Sequence, residues 1–461
     1  MASQALNSST QPTDVYGGDE VSAIILDPGY SSIRAGFAGE DAPKSFAPSD
    51  YGVTTEGTFL FGDDAIHDPN ANLEIRNPMG KDGTVEDWDI ATQLWEHAIT
   101  SRLTNFKQAD PRKNGLNDDL SDAVLEMETD GDKPLEEHPL LMTETAWNST
   151  KNREKSIEVA MESWGCPAFW LARNSVLAAF GAGKATAMVI DVGASTASVV
   201  CVHDGLILKK SVQKSPLAGN WVSQQIRILF EKAEPKVNLV PHFMVAGKTA
   251  VDSGAPAQAT VRNFKIPPTA SFRALEEERI ITEFKESVVQ VWNGANGHLY
   301  QEISQGGYKN FDSLRSQPGR TYEMPDGSNQ MWGAERYTVA EGMFVASNTN
   351  EQNAGPTLID MIKASFNATD MDIRPHLLAN VVVTGATTLM NGFVDRLNSE
   401  MTTMYPGVKV KIQAAGLTAE RRFGSWMGGS VLGSLGTFHQ MWISKAEYEE
   451  HGASIVEKRC K

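Results

Sequence analysis

With 461 residues the chain is too long for a single hydrophobic core, so two or more domains are expected. A hydrophobic content of 41% with 21% charged residues is ordinary for a globular protein, and no apolar stretch approaches the ~20 residues of a membrane helix. The formal net charge of −17 repels nucleic acid, and the scattered Cys166, Cys201 and Cys460 predict a reducing compartment without structural zinc.

Residues 1–20 are polar, and we expect them to be flexible. The sequence that follows them predicts a β-hairpin. Residues 21–26 form an apolar, strand-like run that ends in Asp27-Pro28-Gly29, and a second such run follows at residues 33–37. The same pattern recurs at residues 188–190, 191–193 (Asp-Val-Gly) and 198–202. The repetition predicts an internally duplicated chain.

Three stretches interrupt these elements and are interpreted as insertions. The first covers residues 108–137, and its part from 110 to 137 carries ten acidic and three basic residues, which is typical of a solvated segment. Residues 234–271 are rich in Pro, Ala and Thr, and residues 293–319 are rich in Gly, Ser and Asn. Both are expected to be loops added to a compact frame.

Two further elements lie near the end of the chain. Residues 381–383 form a strand-like run that enters the small-residue turn 384–388 (TGATT), and a helix pattern begins at Phe393, so this turn suits an anion or a ribose. Between residues 431 and 442 the apolar positions recur at helical spacing, which predicts a single amphipathic helix.

Both predicted hairpins carry the residue types that bind phosphate and magnesium. Gly29 and Gly193 permit tight turns whose backbone N–H groups can point at phosphate oxygens. Asp27 and Asp191 would hold the waters around a magnesium ion, and Arg34 can reach the phosphates. The alternative is that each Asp-x-Gly is only a hairpin turn, where these residues are common. Their repetition, with the later small-residue turn, favours a nucleotide cleft between two lobes.

Longer motifs resemble the actin superfamily, over nearly the whole chain outside the insertions. They are residues 34–43 (RAGFAGEDAP), 138–144 (HPLLMTE), 152–155 (NREK), 383–388 (VTGATT), 426–430 (WMGGS) and 441–445 (MWISK). Within the superfamily, the actin-related protein 4 family is the most similar at residues 202–205 (VHDG), 215–219 (SPLAG) and 434–438 (SLGTF).

The resemblance implies an α/β, actin-like ATPase fold, in which a duplicated α/β domain forms two lobes around a nucleotide cleft. Residues 21–181 and 424–461 would build the first lobe, which includes the acidic insertion. Residues 182–423 would build the second lobe, which includes the other two insertions.

The resemblance also implies which residues hold the cofactor, ATP with Mg, or ADP in its place. The phosphates and the metal would be held by Asp27, Gly29, Tyr30, Ser31, Arg34, Asp191, Gly193, Ala194 and Ser195, with Asp27 and Asp191 contacting Mg through waters. The nucleoside would be held by Gly219, Lys285, Glu286, Gly385, Ala386, Thr387, Arg422 and Phe423.

Departures from actin predict binding without useful hydrolysis, and no catalytic residue is assigned. Asn174 and Ser198 stand where actin has the Gln and His that position the attacking water, and Ala194 replaces an acidic residue. Tyr30 replaces a small hydroxyl residue beside the terminal phosphate, a role that Ser31 could partly take over. The alternative is that Tyr30 fills the cleft and leaves the site empty.

The resemblance implies a non-catalytic, ATP-binding structural subunit of nuclear complexes for chromatin remodelling and histone acetylation, with roles in transcription regulation and DNA repair. Its expected partners are actin, a helical segment of a remodeller motor or acetyltransferase scaffold, and histones. Neither sequence-specific DNA binding nor a membrane is expected. The partner helix would bind a groove made of Phe180, Leu432, Leu435, Thr437 and Met441, unless that apolar stripe is ordinary core.

Two alternatives come from other functional classes. A slow ATPase or sugar kinase of the same superfamily is disfavoured by the residues that replace the hydrolytic groups. A filament-forming protein is disfavoured because only six residues separate residues 51–52 from residues 59–62, where actin has a longer loop that forms filament contacts.

Overall fold

The computed structural model describes residues 22–104, 133–293, 314–346 and 355–461. Within those ranges two large sheets, each with its own hydrophobic core, form the two lobes of an α/β actin fold, so the predicted fold class is confirmed. The predictions for residues 1–20, for 108–132 and for most of 293–319 lie outside the described residues. No helix within the described ranges combines the length and apolarity that crossing a bilayer requires.

The first lobe is built on a six-stranded mixed sheet that contains the first predicted hairpin. Its strands are, in spatial order, Ile443–Ser444, Ala168–Arg173, Leu140–Glu144, Ile24–Pro28, Ser32–Phe37 and Ser45–Pro48. Ile24–Pro28 pairs antiparallel with Ser32–Phe37, which confirms the hairpin, and parallel with Leu140–Glu144. These three strands are almost continuously buried because both faces of the sheet are covered.

The second lobe contains the second predicted hairpin at an equivalent place. Its sheet orders the strands Leu206–Ile207, Ala197–His203, Ala187–Val192, Val381–Thr384 and Ile412–Ala414, and Gln213–Ser215 also pairs with Ala197–His203. Ala187–Val192 is antiparallel to Ala197–His203 and parallel to Val381–Thr384. The second hairpin is therefore confirmed, and the turn after Val381–Thr384 lies beside it.

Helices cover both sheets, and several begin at polar residues that cap them. The side chains of Asp87, Ser149, Thr269, Thr357 and Ser444 each accept a hydrogen bond from the first turn of a helix. The α-helices are Asp63–Ile66, Trp88–Ile99, Thr150–Glu158, Asn174–Gly181, Gly219–Lys232, Ala270–Ser287, Glu335–Glu341, Leu358–Asn367, Arg374–Leu378, Phe393–Met404, Thr418–Arg422, Gly424–Gly433, Lys445–His451 and Ile455–Arg459. Wider π-helical turns extend two of them at Thr100–Thr104 and Val159–Ser163, and 3-10 turns occur at Lys209–Ser211, His242–Met244, Ala386–Leu389 and Gly436–Gln440.

The prediction that residues 234–271 are only loops is wrong for part of that stretch. Val245–Thr249 and Gln258–Val261 form an antiparallel two-stranded sheet. Most of their side chains are exposed, so the hydrophobic alternation that marks a half-buried strand is missing. Two other small sheets consist of Arg320–Glu323 with Asn329–Trp332, and of Tyr51–Val53 with Phe59–Leu60 and Glu74–Arg76.

Two helices carry the chain from one sheet to the other, and they pack unusually closely. Asn174–Gly181 lies between the first and second sheets in sequence, and Gly424–Gly433 follows the last strand of the second sheet. A Cβ atom at Gly428 would lie only 1.8 Å from the carbonyl oxygen of Leu177. Glycine at this position is therefore required by the close approach of two backbones.

The prediction of a single amphipathic helix over residues 431–442 is wrong. The α-helix ends at Gly433, and a separate 3-10 turn occupies Gly436–Gln440. Glycine disfavours helix, and the Ser434 hydroxyl donates a hydrogen bond back to the carbonyl of Val431 at 2.9 Å. The break lets Phe438 bury its ring against Trp170, with ring centroids 5.5 Å apart. The apolar residues of this segment therefore do not share one helical face.

Candidate functional site

A cavity of about 560 Å³ lies between the two sheets and is lined by both hairpins. This volume is within the ~300–1,000 Å³ typical of sites for small ligands. All but one of the residues predicted to hold the nucleotide line it: Asp27, Gly29, Tyr30, Ser31, Arg34, Asp191, Gly193, Ala194, Ser195, Gly219, Lys285, Glu286, Gly385, Ala386, Thr387 and Arg422. Residues that are far apart in sequence are thus brought to one place.

Phe423 is the predicted residue that does not line the cavity. Its ring is 5.9 Å from the ring of Phe46, and the guanidinium of Arg34 lies 5.9 Å from its centroid. This cation–π contact helps to hold the Arg34 side chain in position. In this structure Phe423 therefore contacts the predicted site through Arg34.

The first hairpin holds Asp27 and Arg34 in fixed positions. Arg34 Nη1 lies 2.8 Å from Asp27 Oδ2, and the hydroxyl of Thr143 donates to Asp27 Oδ1 at 2.5 Å. The guanidinium also donates to Ser32 Oγ at 3.2 Å. Arg34 Nε is buried and has no hydrogen-bond partner among the described residues. Because an unsatisfied buried donor is costly, this atom fits an anionic ligand in the cavity.

The second hairpin places another carboxylate close to the first. Burial, reinforced by the Asp27 carboxylate and opposed by Arg34, raises the pKa of Asp191 to about 6. A charged carboxylate that is both buried and close to another is unfavourable without a cation. Divalent magnesium prefers oxygen ligands and keeps several of its waters, so the pair fits a metal held through water.

The turns of both hairpins present backbone amides to the cavity. Gly29 N–H donates to the carbonyl of Ser32 and Gly193 N–H to that of Thr196, each at 3.0 Å. The amides of residues 30, 31, 194 and 195 donate to no described residue. A Cβ at Gly193 would have no neighbour closer than 3.6 Å. Because the protein leaves this space open, the small residue and free amides fit phosphate oxygens that approach the turn.

Hydrogen bonds within the second lobe connect its hairpin with the part of the cavity that is predicted to hold the nucleoside. The Thr387 hydroxyl donates to the carbonyl of Gly193 at 2.8 Å, and Lys285 Nζ donates to that of Gly219 at 3.1 Å. Gly385 has a φ of +94°, and a Cβ there would lie 2.3 Å from the carbonyl oxygen of Val192. This turn therefore needs glycine both for its conformation and for its space.

Comparison with known proteins identifies the family. The sequence profile of the actin family matches residues 18–461. The chain belongs to the actin family. It is 55% identical to Actin-related protein 4 of Gibberella zeae, over 100% of both chains. It is 36% identical to Actin-related protein 4 of Schizosaccharomyces pombe, over 97% of this chain and 99% of the relative. With Actin-related protein 4 of Arabidopsis thaliana the identity is 32%, over 97% and 100%. The resemblance inferred from the motifs is thus confirmed.

The residues that depart from actin differ in their contacts and in whether they line the cavity. Asn174 Nδ2 is 3.4 Å from Asp191 Oδ2, and its Oδ1 accepts the backbone N–H of Ser175 at 2.8 Å. Both ends of this amide are therefore engaged by the protein. Ser198 is buried within its strand and does not line the cavity. Ala194 lines the cavity but has no titratable group.

Tyr30 lines the cavity of this actin-family chain and is held by its backbone. Its carbonyl accepts a hydrogen bond from Asn77 Nδ2 at 2.9 Å, and the same amide donates to Asp50 at 3.0 Å. Burial raises the pKa of Tyr30, and the carboxylates of Asp50 and Glu86 add to the shift. The phenol is therefore neutral at physiological pH and can act as a hydrogen-bond donor at the cavity wall.

Several residues at the site were missed by the sequence analysis. Thr143 fixes Asp27, and the parallel register that pairs Leu26 with Met142 places it there. Alternation along the strand in the 138–144 motif could have suggested this position. Glu278 and Thr282 also line the cavity, two turns and one turn before Glu286 respectively, so helical periodicity could have identified them.

The predicted partner groove is only partly exposed. The side chains of Leu435 and Met441 are each 46% exposed, and Thr437 is exposed as well. Leu432 is partly buried against the hydrophobic core of the first lobe, and Phe180 against a cluster between its own helix and the second sheet. The break after Gly433 presents Leu435 in an extended conformation. Leu435 and Met441 therefore offer exposed apolar side chains at a bend in the chain.

Proposed function

We propose that this actin-family chain is a non-catalytic, ATP-binding structural subunit of nuclear chromatin-remodelling and histone acetyltransferase complexes. One observation carries the proposal: the phosphate-binding residues meet in one cavity, while the groups that would drive hydrolysis are engaged, buried or replaced. Similarity to Actin-related protein 4 over the full length supports the choice among actin-family roles.

The chain's own groups would divide the binding of magnesium-ATP between the two lobes. Arg34 and the free amides of the two turns would bind phosphate oxygens, and Asp27 and Asp191 would orient the waters of the metal. Magnesium bound there would supply the positive charge that offsets these two carboxylates. A ligand present at a thousandfold excess over its dissociation constant stabilises a protein by about 4 kcal/mol. ATP would therefore act as a structural cofactor.

The lack of turnover follows from the positions of the departing residues. A group that positions or accepts a proton typically contributes ~10²–10⁴ in rate. Asn174 accepts the backbone N–H of Ser175 and contacts Asp191, so its amide is already engaged by the protein. Because Ser198 lies outside the cavity lining, no replacement base is supplied at that position.

The assembly role rests on the family resemblance and on the exposed apolar bend. We propose that the chain pairs with actin on a helical segment of a motor or scaffold subunit, in the nucleus, with histones as a further partner. An amphipathic helix could bury Leu435 and Met441, which the isolated chain leaves exposed.

The proposal predicts that bound ATP remains intact. After incubation of the purified protein with magnesium-ATP and removal of free nucleotide, the protein is denatured and the released nucleotide is identified by chromatography. We expect intact ATP after hours, and we expect none to be retained by Arg34→Ala, which loses the main cation of the site. Steady production of ADP by the wild type, but not by Arg34→Ala, would contradict the proposal.

A second prediction concerns the partner groove. Leu435→Asp is expected to weaken binding of a basic amphipathic helix by ~10-fold or more, because a charge would be buried in an apolar contact. Val408→Asp is the matched control, since Val408 is similarly exposed outside the groove. Affinities can be measured by calorimetry with and without actin. Equal affinities for the two variants would place the helix elsewhere.

A further inference from the structure

Phe46 is a large apolar side chain on the outermost strand of the first sheet, beside the candidate site. Its strand, Ser45–Pro48, alternates between buried and less buried positions, and Phe46 is 40% exposed. Phe46 is the direct cross-strand neighbour of Arg34, which is in turn the direct cross-strand neighbour of Asp27. Direct neighbours project to the same face of a sheet. Phe46 therefore lies in one row with the two charged residues of the first hairpin.

Arg422 lies over the ring of Phe46. It ends the helix Thr418–Arg422, which follows the last strand of the second sheet, and its guanidinium carbon is 4.8 Å from the ring centroid. A cation within ~6 Å of an aromatic face is attracted by the negative charge of that face. Arg422 lines the cavity, and its guanidinium makes no hydrogen bond or ion pair with any residue that the structure describes. The contact with Phe46 therefore holds this charged group in place.

Phe423 connects this pair with Arg34. Its ring is 5.9 Å from the ring of Phe46, at an interplanar angle of 57°, and the guanidinium carbon of Arg34 is 5.9 Å from its centroid. Each arginine thus contacts one ring, and the two rings contact each other. Neither Phe46 nor Phe423 lines the cavity, whereas both arginines do. The rings therefore support the two cations from outside the space that a ligand would occupy.

The charges around Arg422 indicate which part of a ligand it would meet. Burial lowers the pKa of Arg422, the charge of Arg34 adds to the shift, and Glu286 opposes it. Arg34 belongs to the residues predicted to hold phosphate, and Glu286 to those predicted to hold the nucleoside. Arg34 is bound to Asp27 at 2.8 Å, but Arg422 has no carboxylate at ion-pair distance among the described residues. An uncompensated cation at this place suits the phosphate that is attached to the ribose.

An arginine without hydrogen bonds samples many rotamers, and a ligand must then order the side chain at a cost in affinity. We propose that Phe46 is a positioning residue, which holds Arg422 ready to bind an oxygen of the ribose-linked phosphate. The ring does not touch the ligand and acts through Arg422. The effect on affinity rests on the proposed nucleotide binding, whereas the contact between Phe46 and Arg422 does not.

Phe46→Leu keeps an apolar side chain but removes the aromatic face. We expect it to raise the Kd for magnesium-ATP about fivefold, and Phe46→Tyr to keep the wild-type value, because a phenol ring also attracts a cation. Phe59→Leu is the matched control, since Phe59 is 39% exposed and contacts the ring of Tyr51 at 6.0 Å, outside the cavity lining. It should bind like the wild type. Titration calorimetry measures all four proteins.

Magnesium-ADP distinguishes the phosphates, because it shares only the two phosphates nearer the ribose with ATP. Phe46→Leu is expected to weaken its binding by the same factor as that of magnesium-ATP. A loss confined to ATP would assign Arg422 to the terminal phosphate and would contradict the proposal.

A double-mutant cycle decides whether the ring acts through the arginine. Arg422→Ala is expected to raise the Kd for magnesium-ATP ~10-fold, because a charge-assisted hydrogen bond is lost. In the Arg422→Ala background, Phe46→Leu should then have no further effect. A fivefold loss that persists without Arg422 would overturn the proposal.

The contact itself can be observed without nucleotide, by NMR of protein with isotope-labelled arginine. The side-chain proton resonances of Arg422, identified by their absence in Arg422→Ala, should carry a ring-current shift in the wild type and in Phe46→Tyr. The shift should vanish in Phe46→Leu and remain in Phe59→Leu. Unchanged resonances in Phe46→Leu would overturn the contact. A protein that binds no ATP would contradict the proposed function, while these resonances would still decide on the contact.

Discussion

Replacing Asp191 with asparagine is expected to stabilise the nucleotide-free protein and to abolish its stabilisation by magnesium-ATP. Burial, reinforced by Asp27, raises the pKa of Asp191 to about 6 from its ordinary 3.8, so the ionised form is unfavourable in the folded state. A pKa shift of this size lowers the free energy of unfolding by an amount on the order of 1–3 kcal/mol at neutral pH. The amide removes the penalty together with the charge that the metal needs.

The sign of the pH dependence follows from the raised pKa. Between the unfolded value and about 6 the folded state binds more protons, so wild-type stability falls as the pH rises through this range. The Asp191→Asn variant should lack this fall. Urea denaturation with and without magnesium-ATP, across pH, measures both effects.

The exposed Asp252→Asn variant is the control for a simple change of net charge. It should keep the stabilisation by magnesium-ATP and the pH profile of the wild type. A variant Asp191→Asn that is less stable without nucleotide, or that is still stabilised by magnesium-ATP, would show that this carboxylate has another role.

Gly428→Ala is expected to destabilise the protein by ~3 kcal/mol and to weaken the retention of ATP. A Cβ 1.8 Å from the Leu177 carbonyl forces the two inter-sheet helices apart, and overpacking against backbone cannot be relieved by a side-chain rotation. Asn174 begins one of these helices and Arg422 lies two residues before the other, so the cavity would be distorted as well.

The matched control is Gly436→Ala, since a Cβ at Gly436 would have no neighbour within 4 Å. We expect it to unfold at nearly the wild-type urea concentration and to retain ATP. If both alanine variants behaved alike, the loss would come from glycine's flexibility rather than from the close approach of the helices.

Local signals made the hairpins predictable from the sequence. An apolar run that ends in Asp-x-Gly and then resumes defines both strands and the turn between them, so Asp27 and Asp191 could be assigned before their distance was known. The residues predicted to bind phosphate lie mostly on these two turns. The residues predicted to bind the nucleoside came from the family motifs, because no short-range pattern connects Gly219, Lys285 and Arg422.

Contacts between distant parts of the chain could not be predicted in this way. The spacing of apolar residues at 431–442 fits a helix. The helix is nevertheless broken there, because the break buries Phe438 and Trp442, and this burial depends on contact with Trp170. The contact of His67 Nδ1 with Glu276 Oε1, at 2.5 Å, was missed for the same reason. Nothing near His67 in sequence indicates Glu276, which lies 209 residues away.

The order of the strands has a consequence for biosynthesis. Ile443–Ser444 adds to Ala168–Arg173 at the edge of the first sheet, and the fully buried Trp426 donates to the carbonyl of Ile25 at 3.2 Å. All residues of the second sheet leave the ribosome before these pieces do. Domains generally fold as they emerge from the ribosome. The first lobe is begun first but can be completed only last. Its incomplete core would therefore expose apolar surface to chaperones while the second lobe is being made.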